Sequence, residues 1–352
     1  MGRQELSSRE RVRLALEHRE TDRIPIAMVC SGINEPARSE FDDLLRRTRG
    51  TDAATFLENL LDIRNASPGY QGPPLAVGTD VWGVVREAVS YGPAAYREIT
   101  VHPLADVETE SELTAYAFPR IDAYDYASLP TRIRMLQSSG ERCLMLANAN
   151  PYETAWYMRG FERMFMDMIE RPGFVHALMR QVTDFYLGYI RHSLGAADGE
   201  IDLVFTADDI GGQAGLLLSL PMWEEFIKPY HAELNAVVHE FGAKVIYHSD
   251  GAVAEAVPGL LDMGIDVLQA LQFDAVGMDP VQLKRDYGDC LCFEGGVSVQ
   301  STLPFGTVED VRAEVLHLLA TLGAGGGYIL GPAHAIQAGT PPENILAMFE
   351  VV

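Results

Sequence analysis

The chain has 352 residues, 47% apolar and 22% charged, with a net charge of −23. A chain of that length buries a large core without disulfides or structural metals. So acidic a surface repels phosphate backbones, which argues against a nucleic-acid partner and means that a polyanionic ligand would need a locally basic pocket.

In chain order, the N-terminus is too charged for a secretory signal, and it runs into a helix marked by the capping-box spacing of Ser7 and Glu10. Ile24 to Cys30, IPIAMVC, reads as a first strand. Residues 68–130 are rich in proline, glycine and acidic residues and read as an insertion lying over the rest; within them Val81 to Val85 is a weaker strand. Further strands are expected at CLMLANA from Cys143, DLVFTAD from Asp202, KVIYHS from Lys244, DVLQAL from Asp266, CLCFEG from Cys290 and YILGPAH from Tyr328. Each is a short, nearly continuous apolar run, as in strands buried on both faces. Helical spacing spans Met222 to Phe241, with Pro229 kinking or starting it. Thr307 and Asp310 open a helix that stops at Gly323, and a last helix begins at Thr340-Pro341-Pro342-Glu343. No apolar run approaches the roughly 20 residues needed to span a membrane. The four cysteines, Cys30, Cys143, Cys290 and Cys292, form no CxxC pair and no secreted framework, so a reducing cytosol is expected. Cys290 and Cys292, two apart in one strand, are expected on one face as core packing.

Strands alternating with helices predict an α/β fold with a parallel sheet. About eight strands is the number a closed TIM-like (β/α)8 barrel needs, here a single domain over residues 1–352. Polar residues cluster just where the apolar strands end: Asp208 and Asp209, His248 and Asp250, Gln272, Glu294 and His334. In such a barrel these ends converge on one face. Any one of them can be a satisfied structural group; five strand ends together point to a site. Asp250 either caps a helix over Ala252 to Leu261, with Gly251 as the turn, or faces the site. His248, Asp250 and His334, with Glu294 as a fourth, make an N/O set suited to zinc or another divalent ion with one position open. Of the adjacent Asp208 and Asp209, an extended backbone turns only one toward a cavity.

The ordered series SSRERVRLALEHRETDRIPI, GTDVWGV, WYMRGFERMFMDM, DDIGGQAGLLLSLPMWEEFIKPY, HSDG, GIDVLQ, FEGGVSVQSTLPFGTVEDV and AHAIQAGTPPENI resembles the uroporphyrinogen decarboxylase superfamily over nearly the whole chain. That superfamily also holds cobalamin-dependent methyltransferases. The resemblance implies a TIM-like barrel and a homodimer. It matches Asp80, Tyr157 and His334 to the decarboxylase's aspartate, tyrosine and histidine. Trp82 in GTDVWGV and Gln213 in DDIGGQAG join Tyr157, Asp208 and Gln272 as substrate-binding candidates; Asp80, Asp209, His248 and His334 are the catalytic ones. The arginine-rich motif that meets substrate carboxylates in true decarboxylases is replaced here by CSGINEPARSEF, with Arg38 between Glu35 and Glu40. The zinc methyltransferases carry His-x-Cys and a later Cys, where this chain has His248-x-Asp250 and His334.

The leading expectation is therefore a cytoplasmic methyltransferase. It would move a methyl group from a small O-, N- or S-methyl substrate to cobalamin on a corrinoid partner protein, with His248, Asp250, His334 and Glu294 on a divalent metal. A decarboxylase of a porphyrinogen or other carboxylated aromatic is the alternative, favoured by a basic cluster from Arg159 and Arg38. A non-catalytic corrinoid or tetrapyrrole carrier ranks last, because no second domain is visible.

Overall fold

The computed structural model describes residues 5–30, 32–91 and 94–351; residues 1–4 of the charged N-terminus and Ser31 of CSGINEPARSEF lie outside them. Helix α1 (Ser8–Leu16) is closed by the expected capping box, Ser7 receiving from Glu10 N and Glu10 from Ser7 N. Strand β1 is Ile63–Asn65, a three-residue piece that the sequence reading missed. The antiparallel hairpin β2 (Val85–Tyr91) and β3 (Ala94–Val101) occupies the insertion. Val81 to Val85 is therefore a turn into a hairpin, not a barrel strand. The other strands of the main sheet follow: β4 (Cys143–Ala149), β5 (Leu203–Ala207), β6 (Lys244–His248), β7 (Val267–Gln269), β8 (Cys292–Val297) and β9 (Tyr328–Pro332). With β1 they form one seven-stranded parallel sheet in the order β1-β4-β5-β6-β7-β8-β9.

Side-chain alternation divides the core. Cys143 and Met145 of β4 pack with Leu203, Phe205, Ile246, Val267, Cys292 and Ile329, one cluster fed by strands from across the sheet, and Val12 and Ala15 of α1 join it. Leu144 and Leu146, the other parity of β4, pack outward with the helices. The sheet thus curls around an apolar interior capped by α1. The segment Pro25–Ala27 runs beside β9: Ala27 N donates to Leu330 O at 2.9 Å and Leu330 N to Pro25 O at 2.8 Å. On its other side Asp62 N donates to Ile26 O at 2.8 Å. Fully buried Asp62 fixes the join, accepting from Ile26 N, Arg11 and Arg23 at 2.8 Å each. The expected strand Ile24 to Cys30 is thereby reduced to one bridge, Ile26 with Leu330.

Among the helices, α2 (Pro151–Arg159), α3 (Phe161–Glu170) and α4 (Pro172–Ala197) follow β4. The helix expected over Met222 to Phe241 is broken into α5 (Leu220–Phe226) and α6 (Lys228–Glu240). Pro229 has no N–H for the carbonyl one turn back, so the chain restarts there. The Thr307–Asp310 capping box opens α7 (Val308–Thr321), and proline occupies the first position of α8 (Pro342–Glu350). Cys292 is buried as expected, but Cys290 lies before the strand and is exposed. Among the described residues no helix is long and apolar enough to cross a membrane.

Candidate active site

Parallel register lines up the strand ends. His248 lies beside Ala207 on one side and Gln269 on the other. Gln269 Oε1 accepts from His248 Nδ1, which leaves Nε2 as the lone-pair nitrogen of the ring. Gln269 was not anticipated; DVLQAL offered two candidate polar positions with Gln272, and only the strand end decides between them. Gln272 is instead structural, its Oε1 accepting from Gly251 N at 2.9 Å. Gly251 sits at φ +83°, and a Cβ there would lie 2.5 Å from the Gly211 carbonyl carbon. Glycine is thus required for the turn that presents Asp250. Asp250 caps no helix: the next one, Val257–Asp262, starts after a 3-10 turn, with Ala256 at its N-cap.

The two adjacent aspartates separate. Asp208 is fully buried, accepting from Tyr152 N at 2.9 Å, Glu153 N at 2.7 Å and His231 Nε2 at 2.5 Å. It anchors the first turn of α2, where backbone N–H groups need acceptors. Burial pushes its carboxyl up, opposed by His231. Asp209 faces the site, 3.5 Å from His248 Nε2, and its Oδ1 accepts from Asp250 N at 2.8 Å. His334 Nε2 stands 3.7 Å from Asp250 Oδ2, and the His248 and His334 ring centres are 5.9 Å apart. Burial pushes the Asp250 carboxyl up, with Asp209 adding to it and His248 opposing.

Two overlapping sets bring potential ligand atoms within 4.8 Å of one another: Asp209, His248 and Asp250; and Cys30, His248 and His334. Among the described residues Glu294 is in neither. It is buried one strand beyond Gln269, its carboxyl occupying the space that a Cβ on Gly331 would fill, and burial pushes it well up. Cys30 was read from sequence only as part of a strand.

The residues of α2 and the insertion complete the wall. Glu153, also unanticipated, accepts from Tyr157 OH at 2.8 Å and from Asn150 Nδ2 at 3.3 Å. Burial, with Asp209 and Asp208 adding to it, pushes its carboxyl up to about 8. The Arg86 guanidinium lies over the Tyr157 ring, 4.9 Å from its centre, and pairs with Asp80 at 2.6 Å. Asp80 also accepts from Trp82 N and Val84 N, so it closes a turn as well as facing Arg86. Trp82 lines a cavity of about 250 Å³ with Tyr124, Asn148, Phe185, Tyr186 and Tyr189. Gln213 is exposed on a loop. The two arginines proposed for a basic cluster are elsewhere. Arg159 is fully buried against Asp167, and Arg38 lines a separate cavity with Glu58 and Arg64.

A family model described as uroporphyrinogen decarboxylase (URO-D) matches residues 100–352. The chain belongs to the uroporphyrinogen decarboxylase family. Its curated relatives are of two kinds. A uroporphyrinogen decarboxylase of Anaeromyxobacter dehalogenans is 28% identical over 197 residues, 55% of this chain and 52% of the relative. A methylated-thiol–coenzyme M methyltransferase of Methanosarcina mazei is 29% identical over 198 residues, 56% of this chain and 49% of the relative. The chain thus spans about half the length of these relatives. A solved methyltransferase from Methanosarcina mazei matches with a TM-score of 0.71 at 18% identity, covering 99% of this chain and 98% of that one. That likeness establishes a shared fold. The family therefore supplies both methyltransferases and decarboxylases as relatives, and the choice between them rests on the site.

Proposed function

We propose that this chain is a cytoplasmic methyltransferase acting on a small O-, N- or S-methylated substrate, with cobalamin on a corrinoid partner protein as acceptor. The observation that carries the reading is that two ligand sets sharing His248, one with carboxylates and one with a thiol and a second imidazole, each converge within 4.8 Å. Those donors fit a divalent ion such as zinc, which takes imidazole nitrogen, thiolate and carboxylate ligands. His248, common to both sets, would hold it together with neighbouring ligands. When bound, such an ion supplies Lewis acidity toward the heteroatom that loses the methyl group. Gln269 keeps the His248 tautomer and ring plane fixed. Asp209 orients the substrate, and Glu153, held neutral by burial and steadied by Tyr157, donates a proton to the departing heteroatom.

In this reading residues 1–352 form one TIM-like (β/α)8 domain, the Pro25–Ala27 segment serving as the eighth strand, and the enzyme is a homodimer. Decarboxylation of a porphyrinogen is the weaker reading, because Arg159 is committed to Asp167 and three carbonyls and Asp80 is neutralised by Arg86. The test is direct: the protein is incubated with free cob(I)alamin and a panel of methyl ethers, methylamines and methyl thioethers, and in parallel with uroporphyrinogen. Consumption of cob(I)alamin with one donor class, lost in His248→Ala, is expected. Release of carbon dioxide from uroporphyrinogen without cob(I)alamin consumption would overturn the reading.

A further inference from the structure

We infer that Cys30 supplies a thiolate to the metal site, so that the ion is held by Cys30, His248 and His334. This rests on the metal-centred reading above and goes beyond it, because the sequence offered only nitrogen and oxygen ligands.

The argument begins with register. Ile26 bridges Leu330 in parallel, and Ile33 bridges Ile336. Cys30 and His334 each lie four residues past the first bridge and before the second. The flanking bridges thus set Cys30 against His334, although over 300 positions separate the two in sequence. His248 enters from across the site, on β6, with Nδ1 held by Gln269 and Nε2 turned inward. The three ligand atoms lie within 4.8 Å of one another.

A carboxylate set shares His248 with these ligands. Asp209 Oδ1 already accepts a backbone N–H. Asp209 and Asp250 stand 3.5 and 3.7 Å from Nε2 of His248 and of His334. They therefore border the ion's remaining position, on the ligating side of the rings, whereas the far nitrogen of His248 is held by Gln269. One thiolate and two imidazoles, with a position left open, select zinc and similar borderline ions over magnesium, calcium or manganese, which take oxygen ligands.

The experiment uses the full-length protein, stripped with chelator and titrated with cobalt(II) alone. Wild type is expected to bind one equivalent and to show a near-ultraviolet thiolate-to-cobalt charge-transfer band. Cys30→Ser should lose the band and bind more weakly by at least the roughly 10–100-fold that loss of an outer-sphere partner costs. A second measurement needs no variant: zinc should protect Cys30 from alkylation, mapped by mass spectrometry, while exposed Cys290 reacts equally with or without it. Cobalt binding without the band, with Cys30 alkylated at an unchanged rate, would overturn the thiolate assignment and leave the carboxylate set and the metal-centred reading standing. No binding of cobalt or zinc by wild type would overturn both.

Discussion

Replacing Arg159 with methionine separates the two reaction classes. In the decarboxylase reading Arg159 meets substrate carboxylates, and its loss would weaken substrate binding. In the structure it is a buried strut. Nε donates to Asp167 at 2.7 Å, and Nη1 donates to the carbonyls of Leu104, Ala105 and Val107 at 2.5, 3.1 and 2.7 Å. Its guanidinium also covers the Phe174 ring, 4.8 Å from the centre. These bonds fasten the end of the insertion to α2 and α3. Both charges of the pair are almost fully inaccessible, at 0% and 1% exposed. Removing one partner of such a pair costs about 3–5 kcal/mol, because the other charge stays buried. Arg163 and Arg171, each 3.5 Å from Asp167, take up part of that charge and favour the lower half of the range. An unfolding entropy of about 2.1 cal/mol/K per residue makes each kcal/mol worth roughly 1.4 °C in a chain of this size, so Tm should fall by about 4–6 °C. Calorimetry measures it, alongside steady-state kinetics with whichever donor proves active. A Tm within about 1 °C of wild type combined with a large rise in KM would refute the structural role and reopen the basic-pocket reading.

Gln269→Ala frees His248 Nδ1 and should weaken zinc binding roughly 10–100-fold without unfolding the protein, as read by competition with a chromophoric chelator. Unchanged affinity would mean that His248 is not a ligand through Nε2. Gly251→Ala places a Cβ at φ +83° against the Gly211 backbone and should cost at least about 1–3 kcal/mol in urea unfolding; a neutral result would contradict the turn. Glu153 has a folded pKa raised to about 8 from an ordinary 4.5, so the folded state holds the extra proton in that window. Metal-free wild type should therefore lose stability relative to Glu153→Gln as pH rises from about 4.5 to 8, by up to about 1.4 kcal/mol per unit. Parallel stability curves for the two proteins would refute the shift.

The fold was legible where the physical signal is local. Continuous apolar runs marked β4 through β9, because strands covered on both faces cannot afford polar alternation. Capping boxes marked α1 and α7, because an N-terminal turn leaves N–H groups that only particular side chains satisfy. What escaped was the seam. Strand β1 is three residues long, and the segment at Ile26 pairs through one bridge. Neither is long enough to show a period. Both are held by Asp62, a buried carboxylate serving two arginines and a backbone N–H, and no local pattern announces that a single aspartate fixes two chain segments.

The site shows the same division. Strand ends pointed to Asp209, His248 and Asp250, and the structure brings those together. It takes Asp208 out of the cavity, because its two oxygens are consumed by the first turn of α2 and by His231. Sequence could say that adjacent aspartates diverge but not which one a helix start would claim, since the Tyr152 N–H that claims it lies 56 residues earlier. Glu153 escaped for the reciprocal reason. On a helix its position looks like an ordinary first-turn acid, which the helix dipole welcomes. It becomes a proton-holding group because the fold buries it and sets Asp209 and Asp208 beside it. The same aspartate that secures the helix start thus helps to keep the neighbouring glutamate neutral. Conserving the helix anchor while changing Asp209 to asparagine should accordingly lower the Glu153 pKa and leave α2 in place, a separation of roles that carbon-13 titration of the Glu153 carboxyl reads directly.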